Sequence, residues 1–272
     1  MSYQLDDLLY LMQRLRDPQH GCPWDLEQSY ATIVPHTLEE AYEVADAIEQ
    51  GDFDQLRGEL GDLLFQVVYY AQLASEEERF SWNEVVDGIT RKLVRRHPHV
   101  FPDGNLRIPP GTLTLAPEQI KQRWEQIKAE ERAEKADRPE QLSLLDDVPA
   151  ALPALSRAQK LQKRAASAGF DWPEVAPVID KISEELDEVR EALAAGHQQA
   201  VAEEMGDLLF CVVNLARHLG VDAENALRQG NAKFERRFRF IEDQLRVQGA
   251  TVAERSLDEL DALWDAAKQQ GL

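Results

Sequence analysis

The chain contains one segment twice, and this internal repeat constrains its fold more than any other feature. Residues 59–68 read ELGDLLFQVV and residues 204–213 read EMGDLLFCVV. Matching positions stay 145 residues apart, without a gap, over a long window. Beyond this window the spacing changes by four residues. A basic triplet of the first copy, Lys92, Arg95 and Arg96, then matches Lys233, Arg236 and Arg237 of the second. A unit of about 110 residues is far longer than a solenoid repeat, which indicates a duplicated domain.

Apolar residues recur at helical spacing in both copies, and strand patterns are scarce. Examples are LRGELGDLLFQVVYYAQL (56–73) in the first copy and VIDKISEELDEVREAL (178–193) in the second. We therefore predict an all-α fold in which each copy forms a bundle of four to five helices. The predicted organisation is a first unit at 1–117, a charged helix and linker at 118–150, and a second unit at 151–272.

The charge of the chain excludes several classes of function. Fifty acidic residues stand against 30 basic ones, a formal charge of −20. Such a surface repels phosphate backbones and anionic lipids, so general binding to a nucleic acid polymer or a membrane is not expected. The two cysteines form no disulfide framework, the N-terminal segment does not have the pattern of a signal peptide, and no apolar run is long enough for a membrane span. These features predict a cytoplasmic protein.

Four acidic residues recur in each copy with the spacing ExxE followed by ExxD. They are Glu40, Glu43, Glu59 and Asp62 in the first copy, and Glu185, Glu188, Glu204 and Asp207 in the second. Residues three apart lie on one side of a helix. A short turn at Gly51 and Asp52 predicts that the two acid-bearing helices of the first copy pack antiparallel. The second acid pair of that copy borders an apolar stripe, and we expect it to face the partner helix. The stripe consists of Leu56, Leu60, Leu63, Leu64 and Val67.

Carboxylates that converge between two helices must be protonated, paired with bases or bound to cations, because removing each ion from water costs several kcal/mol. Oxygen ligands without His or Cys favour Mg²⁺, with Mn²⁺ as a substitute. A di-iron bundle would need His three residues after a Glu, and this chain has an acid there. Solvated surface acids are the other interpretation. Neighbouring polar positions differ between the copies (Arg57 and Ala202, for example) while all four acids persist, which favours a metal site.

At these residues the chain resembles the MazG-type nucleoside triphosphate pyrophosphohydrolases, an all-α family. The resemblance covers both copies and extends to three further stretches, HGCPWDLEQ (20–28), IKAEERAEK (127–135) and KFERRF (233–238). It implies tandem MazG-like bundles in a homodimer that hydrolyses (d)NTPs to (d)NMP and pyrophosphate with Mg²⁺. It also implies that Trp264 and Lys128 complete the substrate site. From the residues alone, Trp264 is a core anchor of an amphipathic helix and Lys128 a solvated charge.

Basic residues of the second copy are expected to contact the phosphates. Lys233, Arg236 and Arg237 lie at helical spacing on one side of a helix. Lys181, four residues before Glu185, reaches either the phosphates or the acids. The alternative role for all four is surface ion pairing.

The second unit is favoured as the main active site. The basic helix of the first unit is cut short by Pro98, and the helix with Trp264 has no obvious counterpart there. We expect Glu185, Glu188, Glu204 and Asp207 to hold Mg²⁺, and either Glu185 or Glu188 to orient the attacking water. Two other classes of protein share the pattern: a regulator that senses Mg-NTP without turnover, and a helical adaptor. Broad apolar stripes on the helices favour further burial between subunits.

Overall fold

A computed structural model describes residues 2–107, 116, 119–120, 123–124, 126–127, 130–131, 143–146 and 148–272. The chain divides into two compact units, Met1–Glu134 and Lys135–Leu272. Within the described residues five α-helices have defined bounds in each unit, the first unit has further helical positions between Gln119 and Glu131, and neither unit contains a strand. The prediction of an all-α fold with four to five helices per copy is confirmed.

The helices follow the same order in both units. Those of the first unit are α1 (Leu5–Leu15), α2 (Pro23–Glu27), α3 (Tyr30–Gln50), α4 (Phe53–Glu76) and α5 (Trp82–Arg96), with a 3₁₀ turn at Pro102–Gly104. Those of the second are α6 (Ala154–Ser167), α7 (Ala176–Ala195), α8 (Gln198–His218), α9 (Ala223–Val247) and α10 (Leu257–Gln269), with a 3₁₀ turn at Val252–Glu254. Among the described helices, none combines the length and the apolar character that crossing a membrane requires.

A tight turn joins the two acid-bearing helices of each unit. Gly51 ends α3 in the left-handed conformation with φ of 71°, and Gly196 ends α7 with φ of 72°. A residue with a Cβ is strained at such a φ, so glycine fits this turn best. The carboxylate of Asp52 caps α4 by accepting hydrogen bonds from the backbone N–H groups of Asp54 and Gln55. The predicted antiparallel hairpin is present, since α3 packs against α4 and α7 against α8.

Each unit has its own core. Met12, Ile33, Val68, Tyr69 and Leu73 form the core cluster of the first unit. In the second unit, Val178 and Val213 are 1% exposed, and Ile241 and Leu245 of α9 are nearly as buried. These positions hold the hairpin helices against the other helices of their own unit.

The predicted apolar stripe of α4 is only partly buried. Leu60 is 50% exposed, and Leu64 and Val67 are each 39% exposed. The buried face of α4 is instead turned toward Val68, Tyr69 and their neighbours along the helix, because these residues contact α1. An apolar strip on an acid-bearing helix therefore lies at the surface of the chain.

The linker prediction concerns a stretch that is only partly described. The division between the compact units falls between Glu134 and Lys135, inside the predicted linker segment 118–150. The described positions from Gln119 to Glu131 are helical. The exact bounds of the charged helix and linker therefore stay a prediction.

Candidate active site

Three glutamates of the second unit converge between α7 and α8. One carboxylate oxygen from each of Glu185, Glu188 and Glu204 lies within 4.8 Å of the other two. Glu185 is 5% exposed, whereas Glu188 and Glu204 are half-buried. The spacing of the two acids on α7 and the tight turn after that helix together bring the three groups to one place.

The first unit repeats this arrangement between α3 and α4. Oxygens of Glu40, Glu43 and Glu59 also lie within 4.8 Å of one another. This cluster is more open, because Glu43 is exposed and the other two are half-buried. The sequence prediction of convergent acids on paired helices is matched at six of the eight positions, three in each unit.

The aspartates lie at the border of these clusters. Asp62 and Asp207 are exposed and are not among the residues whose oxygens converge within 4.8 Å. Their charges still reach their neighbours: that of Asp62 helps to raise the pKa of Glu40, and that of Asp207 helps to raise the pKa of Cys211. In each case burial is the larger cause. As exposed groups the aspartates need no partner within the chain.

Crowding of negative charge changes the acidity of the glutamates. Burial raises the pKa of Glu188, and the nearby charge of Glu185 raises it further. In the first unit, burial raises the pKa of Glu40 and Glu43, and Glu59 repels both. Each cluster therefore favours the binding of a proton or a cation.

One oxygen of Glu185 provides a structural test for a cation. Lys181 Nζ lies 2.8 Å from Glu185 Oε1 and 2.8 Å from Glu184 Oε1. The other oxygen, Glu185 Oε2, is buried and accepts no hydrogen bond from any part of the chain that the structure describes. A buried acceptor without a donor costs free energy unless a ligand fills the need. Glu185, Glu188 and Glu204 together fit a hard divalent cation.

The two clusters differ in the cation beside them. The sequence left two partners open for Lys181, the phosphates or the acids, and in this structure it is paired with the acids. Its hydrogen bonds to Glu184 and Glu185 raise its pKa. His36 occupies the corresponding position of α3, and its Nδ1 lies 3.7 Å from Glu39. The second unit therefore has a permanent positive charge at a place where the first has an imidazole.

The predicted phosphate-binding residues lie on α9. Lys233 and Arg236 are exposed. Arg237 donates from Nε to the backbone oxygen of Leu272 over 2.7 Å, and its guanidinium lies over the Trp264 ring, 5.3 Å from the centroid. Trp264 also packs against Phe234 at 5.2 Å. Trp264 and Arg237 thus form one aromatic and cationic contact, while Lys128 lies outside the described residues.

Trp124 of the first unit corresponds to Trp264, and this correspondence was not predicted from the sequence. Trp124 donates from its indole nitrogen to the backbone oxygen of Arg96 over 2.7 Å and meets His97 edge to face. Both tryptophans therefore pack against the basic helix of their own unit. The similar segments RWEQIK (123–128) and LWDAAK (263–268) could have indicated this pair. Their spacing differs from the 145-residue register, which hid the match.

A cavity of about 540 Å³ lies beside the second cluster and was not anticipated from the sequence. It is lined mainly by aromatic and aliphatic side chains of α6, α8 and the loop before α7. Cys211, one helical turn after Asp207, is one of its wall residues. Buried Gln162 and Asn214 supply polar groups to the same wall.

Comparison with known proteins assigns this arrangement to a family. The model of the MazG nucleotide pyrophosphohydrolase domain matches residues 28–101 and again 174–240, which include all eight predicted acids. The chain belongs to the MazG family. The two MazG domains correspond to the two copies of the internal repeat.

Relatives from distant bacteria match nearly the whole chain. A nucleoside triphosphate pyrophosphohydrolase from Escherichia coli is 56% identical over 98% of both chains. A protein named nucleoside triphosphate pyrophosphohydrolase/pyrophosphatase MazG from Thermotoga maritima is 38% identical over 97% of this chain and 95% of its own. A nucleoside triphosphate pyrophosphohydrolase from Mycobacterium tuberculosis is 32% identical over 92% of this chain and 62% of its own. The first two relatives therefore align with both MazG domains of this chain.

Proposed function

We propose that this chain is a nucleoside triphosphate pyrophosphohydrolase that converts (d)NTPs to (d)NMP and pyrophosphate, with its main active site in the second unit. The observation that carries the assignment to the second unit is the glutamate cluster around Glu185. There a buried carboxylate oxygen without a hydrogen-bond donor in the described part of the chain lies among acids that a cation would draw together. Family membership and the named relatives support the reaction.

Glu185, Glu188 and Glu204 are the residues we propose to hold Mg²⁺ or Mn²⁺, with exposed Asp207 approaching from the border. A cation bound there offsets the charge of the triphosphate and polarises its phosphoryl oxygens. Without such a cation, the carboxylates would repel so anionic a substrate. Activity should therefore disappear in excess EDTA and return when Mg²⁺ is restored.

Glu188 is the residue we propose to accept the proton of the attacking water. It is half-buried in the cluster, and one of its oxygens lies within 4.8 Å of oxygens of Glu185 and Glu204, beside the place where a cation and its water would lie. Glu185 is already held by Lys181, so its position is fixed. Glu185 and Lys181 then orient the site, while Glu188 takes up the proton.

The basic residues of α9 are proposed to contact the phosphates. Lys233 and Arg236 are exposed and free to meet a substrate from solvent. Arg237 and Trp264 hold each other, and together they present a flat cationic surface. The proposed role of Lys128 rests on the resemblance alone.

A subunit contact is proposed along the acid-bearing hairpins. Ile179, Leu186 and Leu193 follow one another at seven-residue intervals on α7, and each is more than a third exposed. Such a stripe on a helix surface is typical of a face that packs against another helix. A homodimer covers this stripe with the same stripe of the second copy.

Paired double variants 145 residues apart test the assignment of the active unit. Glu188→Ala with Asp207→Ala should lower release of monophosphate and pyrophosphate at least a hundredfold, since carboxylates that act as one unit are not additive. The matched pair in the first unit, Glu43→Ala with Asp62→Ala, should retain most of the activity. Each NTP and dNTP is incubated with Mg²⁺, and both products are quantified.

Three results would contradict parts of the proposal. Full activity of the Glu188 and Asp207 variant would move the active site to the first unit. Binding of Mg-NTP by the unaltered chain without product would indicate a nucleotide sensor, and absence of both binding and product an adaptor. Release of diphosphate and inorganic phosphate would identify a different reaction.

A further inference from the structure

A glutamate of the first unit lies on the basic triplet at the end of α5. Arg96 donates from Nε to Glu131 Oε1 over 3.2 Å, and its Nη2 donates to Glu131 Oε2. The guanidinium thus holds the carboxylate with two nitrogens, which is also the way in which arginine binds a phosphate. Arg96 is the counterpart of Arg237, one of the residues proposed above to contact the phosphates of a substrate.

This ion pair is shielded from water and held from both sides. The side chains of Arg96 and Glu131 are 20% and 15% exposed. Trp124, which lies seven residues before Glu131, donates from its indole nitrogen to the backbone oxygen of Arg96 over 2.7 Å. Two separate contacts therefore join the stretch that carries the glutamate to the end of α5. The carboxylate is fixed at the arginine, unlike that of a solvated surface acid.

The whole basic triplet acts on this carboxylate. The hydrogen bond from Arg96 lowers the pKa of Glu131, and the nearby charges of Arg95 and Lys92 lower it further. Glu131 is therefore ionised at neutral pH, and its negative charge offsets the positive charge of the triplet. An anion from solvent meets a weaker positive field there than the three basic side chains alone would produce.

The second unit has no such carboxylate at the corresponding position. The segments RWEQIKAEE (123–131) and LWDAAKQQG (263–271) align without a gap around their tryptophans, and Gly271 then matches Glu131. Arg237 donates to the backbone oxygen of Leu272 over 2.7 Å, and in the described part of the chain no side-chain carboxylate pairs with it. A neutral carbonyl oxygen leaves the positive charge of the arginine available to an anion. The two units share their four acids but differ in this respect.

We infer that Glu131 takes the place of a substrate phosphate in the first unit and thereby keeps a second Mg-nucleotide site closed. The inference rests on the proposed function, in which the matching triplet of α9 contacts the triphosphate. A carboxylate attached to the same chain competes with an effective concentration of about millimolar or more, so a nucleotide displaces it poorly. Without Glu131, a phosphate would supply the charge that the half-buried Arg96 then lacks.

Glu131→Gln tests the inference, because it removes the charge and keeps the shape of the side chain. The ligand is α,β-methylene-ATP with Mg²⁺, in which carbon replaces the oxygen of the bond that the proposed reaction breaks. Isothermal titration calorimetry should find one nucleotide per unaltered chain and two per Glu131→Gln chain. Glu130→Gln changes the net charge equally at the neighbouring exposed position, and should bind one.

The gained site should depend on the arginine that Glu131 covers. Adding Arg96→Ala to Glu131→Gln should return the chain to one nucleotide, because the phosphate then loses its two-pronged partner. Loss of negative charge in general would instead leave two. Circular dichroism and the thermal midpoint establish that the first unit of each variant is folded.

A reciprocal change in the second unit carries the test where Glu131→Gln is not folded. Gly271 has φ of 79°, a conformation that Asn and Asp tolerate better than other residues with a side chain. Gly271→Asp places a carboxylate beside Arg237 and should raise the KM for each NTP about fivefold or more. Gly271→Asn has the same shape without the charge, and its KM should stay near that of the unaltered chain.

The outcomes separate the inference from the proposed function. One nucleotide on both the unaltered chain and Glu131→Gln would overturn the inference and leave the function in place. Two nucleotides on the unaltered chain, or an equal KM of Gly271→Asp and Gly271→Asn, would also overturn it. A nucleotide bound by Glu131→Gln and none by the unaltered chain would support the inference and refute a nucleotide site in the second unit. Absence of binding to both chains would refute both.

Discussion

Glu188 is the residue at which stability and metal binding oppose each other most directly. Its pKa in the folded chain is raised by burial and by Glu185. A carboxyl with a raised pKa contributes its full stability below the unfolded value near 4.5, and that contribution is lost as pH rises through the folded pKa. At neutral pH the ionised group therefore destabilises the metal-free chain.

Replacing Glu188 with Gln should make the metal-free chain more stable. In EDTA at pH 7 we expect the thermal midpoint of Glu188→Gln to rise by a few degrees, and the gain to grow as pH rises above about 4.5 and then to level off. Saturating Mg²⁺ should reverse the order, because the unaltered chain gains more from the cation. Differential scanning fluorimetry with and without Mg²⁺ measures both effects. A lower midpoint of the variant in EDTA would mean that this carboxylate makes a hydrogen bond the fold requires.

Lys181 should have the opposite effect on stability. Lys181→Met removes the cation that lies 2.8 Å from Glu185, a carboxylate that is 5% exposed. Leaving a buried charge without its partner is destabilising, so we expect the thermal midpoint in EDTA to fall by several degrees. Added Mg²⁺ should restore much of the loss. Lys163→Met, at an exposed position of α6, is the control and should leave the midpoint within about a degree.

At the scale of single elements, two glycines of the second hairpin should respond in opposite directions. Gly196 has φ of 72° at the end of α7, so Gly196→Ala should cost about 1–2 kcal/mol. Gly206 lies inside α8, and apart from its chain neighbours and the adjacent backbone of α8, a Cβ there would meet no described atom within 4 Å. Gly206→Ala should therefore stabilise by up to about 1 kcal/mol. Urea unfolding in EDTA measures both. A raised KM of Gly206→Ala would show that substrate approaches this backbone, and a destabilised Gly206→Ala would contradict the open space around it.

Most of the helical architecture could be predicted from the sequence, because its determinants are local. The helical spacing of apolar residues predicted the hairpin helices. The interruption of that spacing at Gly51 and Asp52 predicted the turn, where Gly51 adopts the left-handed conformation. The rotation of α4 was not predictable in the same way. Its apolar residues cover a broad arc, so the sequence alone did not distinguish the face buried within the chain, at Val68 and Tyr69, from the exposed strip at Leu60 and Leu64.

The candidate site shows the same limit. Convergence of the glutamates followed from spacing and from the hairpin, whereas the exposed positions of Asp62 and Asp207 depend on side-chain directions that a period does not specify. The cavity beside Cys211 could not be predicted, because residues that pack around empty space leave no pattern in the sequence.

At the scale of the whole molecule, duplication leaves the same apolar surface on both hairpins. Ile48 and Leu193 are 145 residues apart, and they are 60% and 59% exposed. With the strip on α4 and the heptad stripe on α7, they form contiguous apolar helix surface that is exposed to water. Singly exposed apolar residues are normal on a monomer, but a contiguous apolar surface of this kind indicates an interaction site. The acidic clusters lie on the same helices, so subunit contact and catalysis are expected to depend on one another.

A glutamate at either position should therefore weaken the proposed dimer. We expect Leu193→Glu and Ile48→Glu each to raise the dimer dissociation constant at least tenfold, because a charge buried at an apolar interface is costly and each subunit contributes it once. Size-exclusion chromatography with light scattering across a dilution series measures the effect. Val247→Glu adds the same charge at an 87% exposed position and should change nothing. Equal dissociation constants for all three variants would rule out the hairpin stripes as the interface. A shift in Leu193→Glu alone would assign the contact to the second unit, beside the cluster that we propose to be the active one.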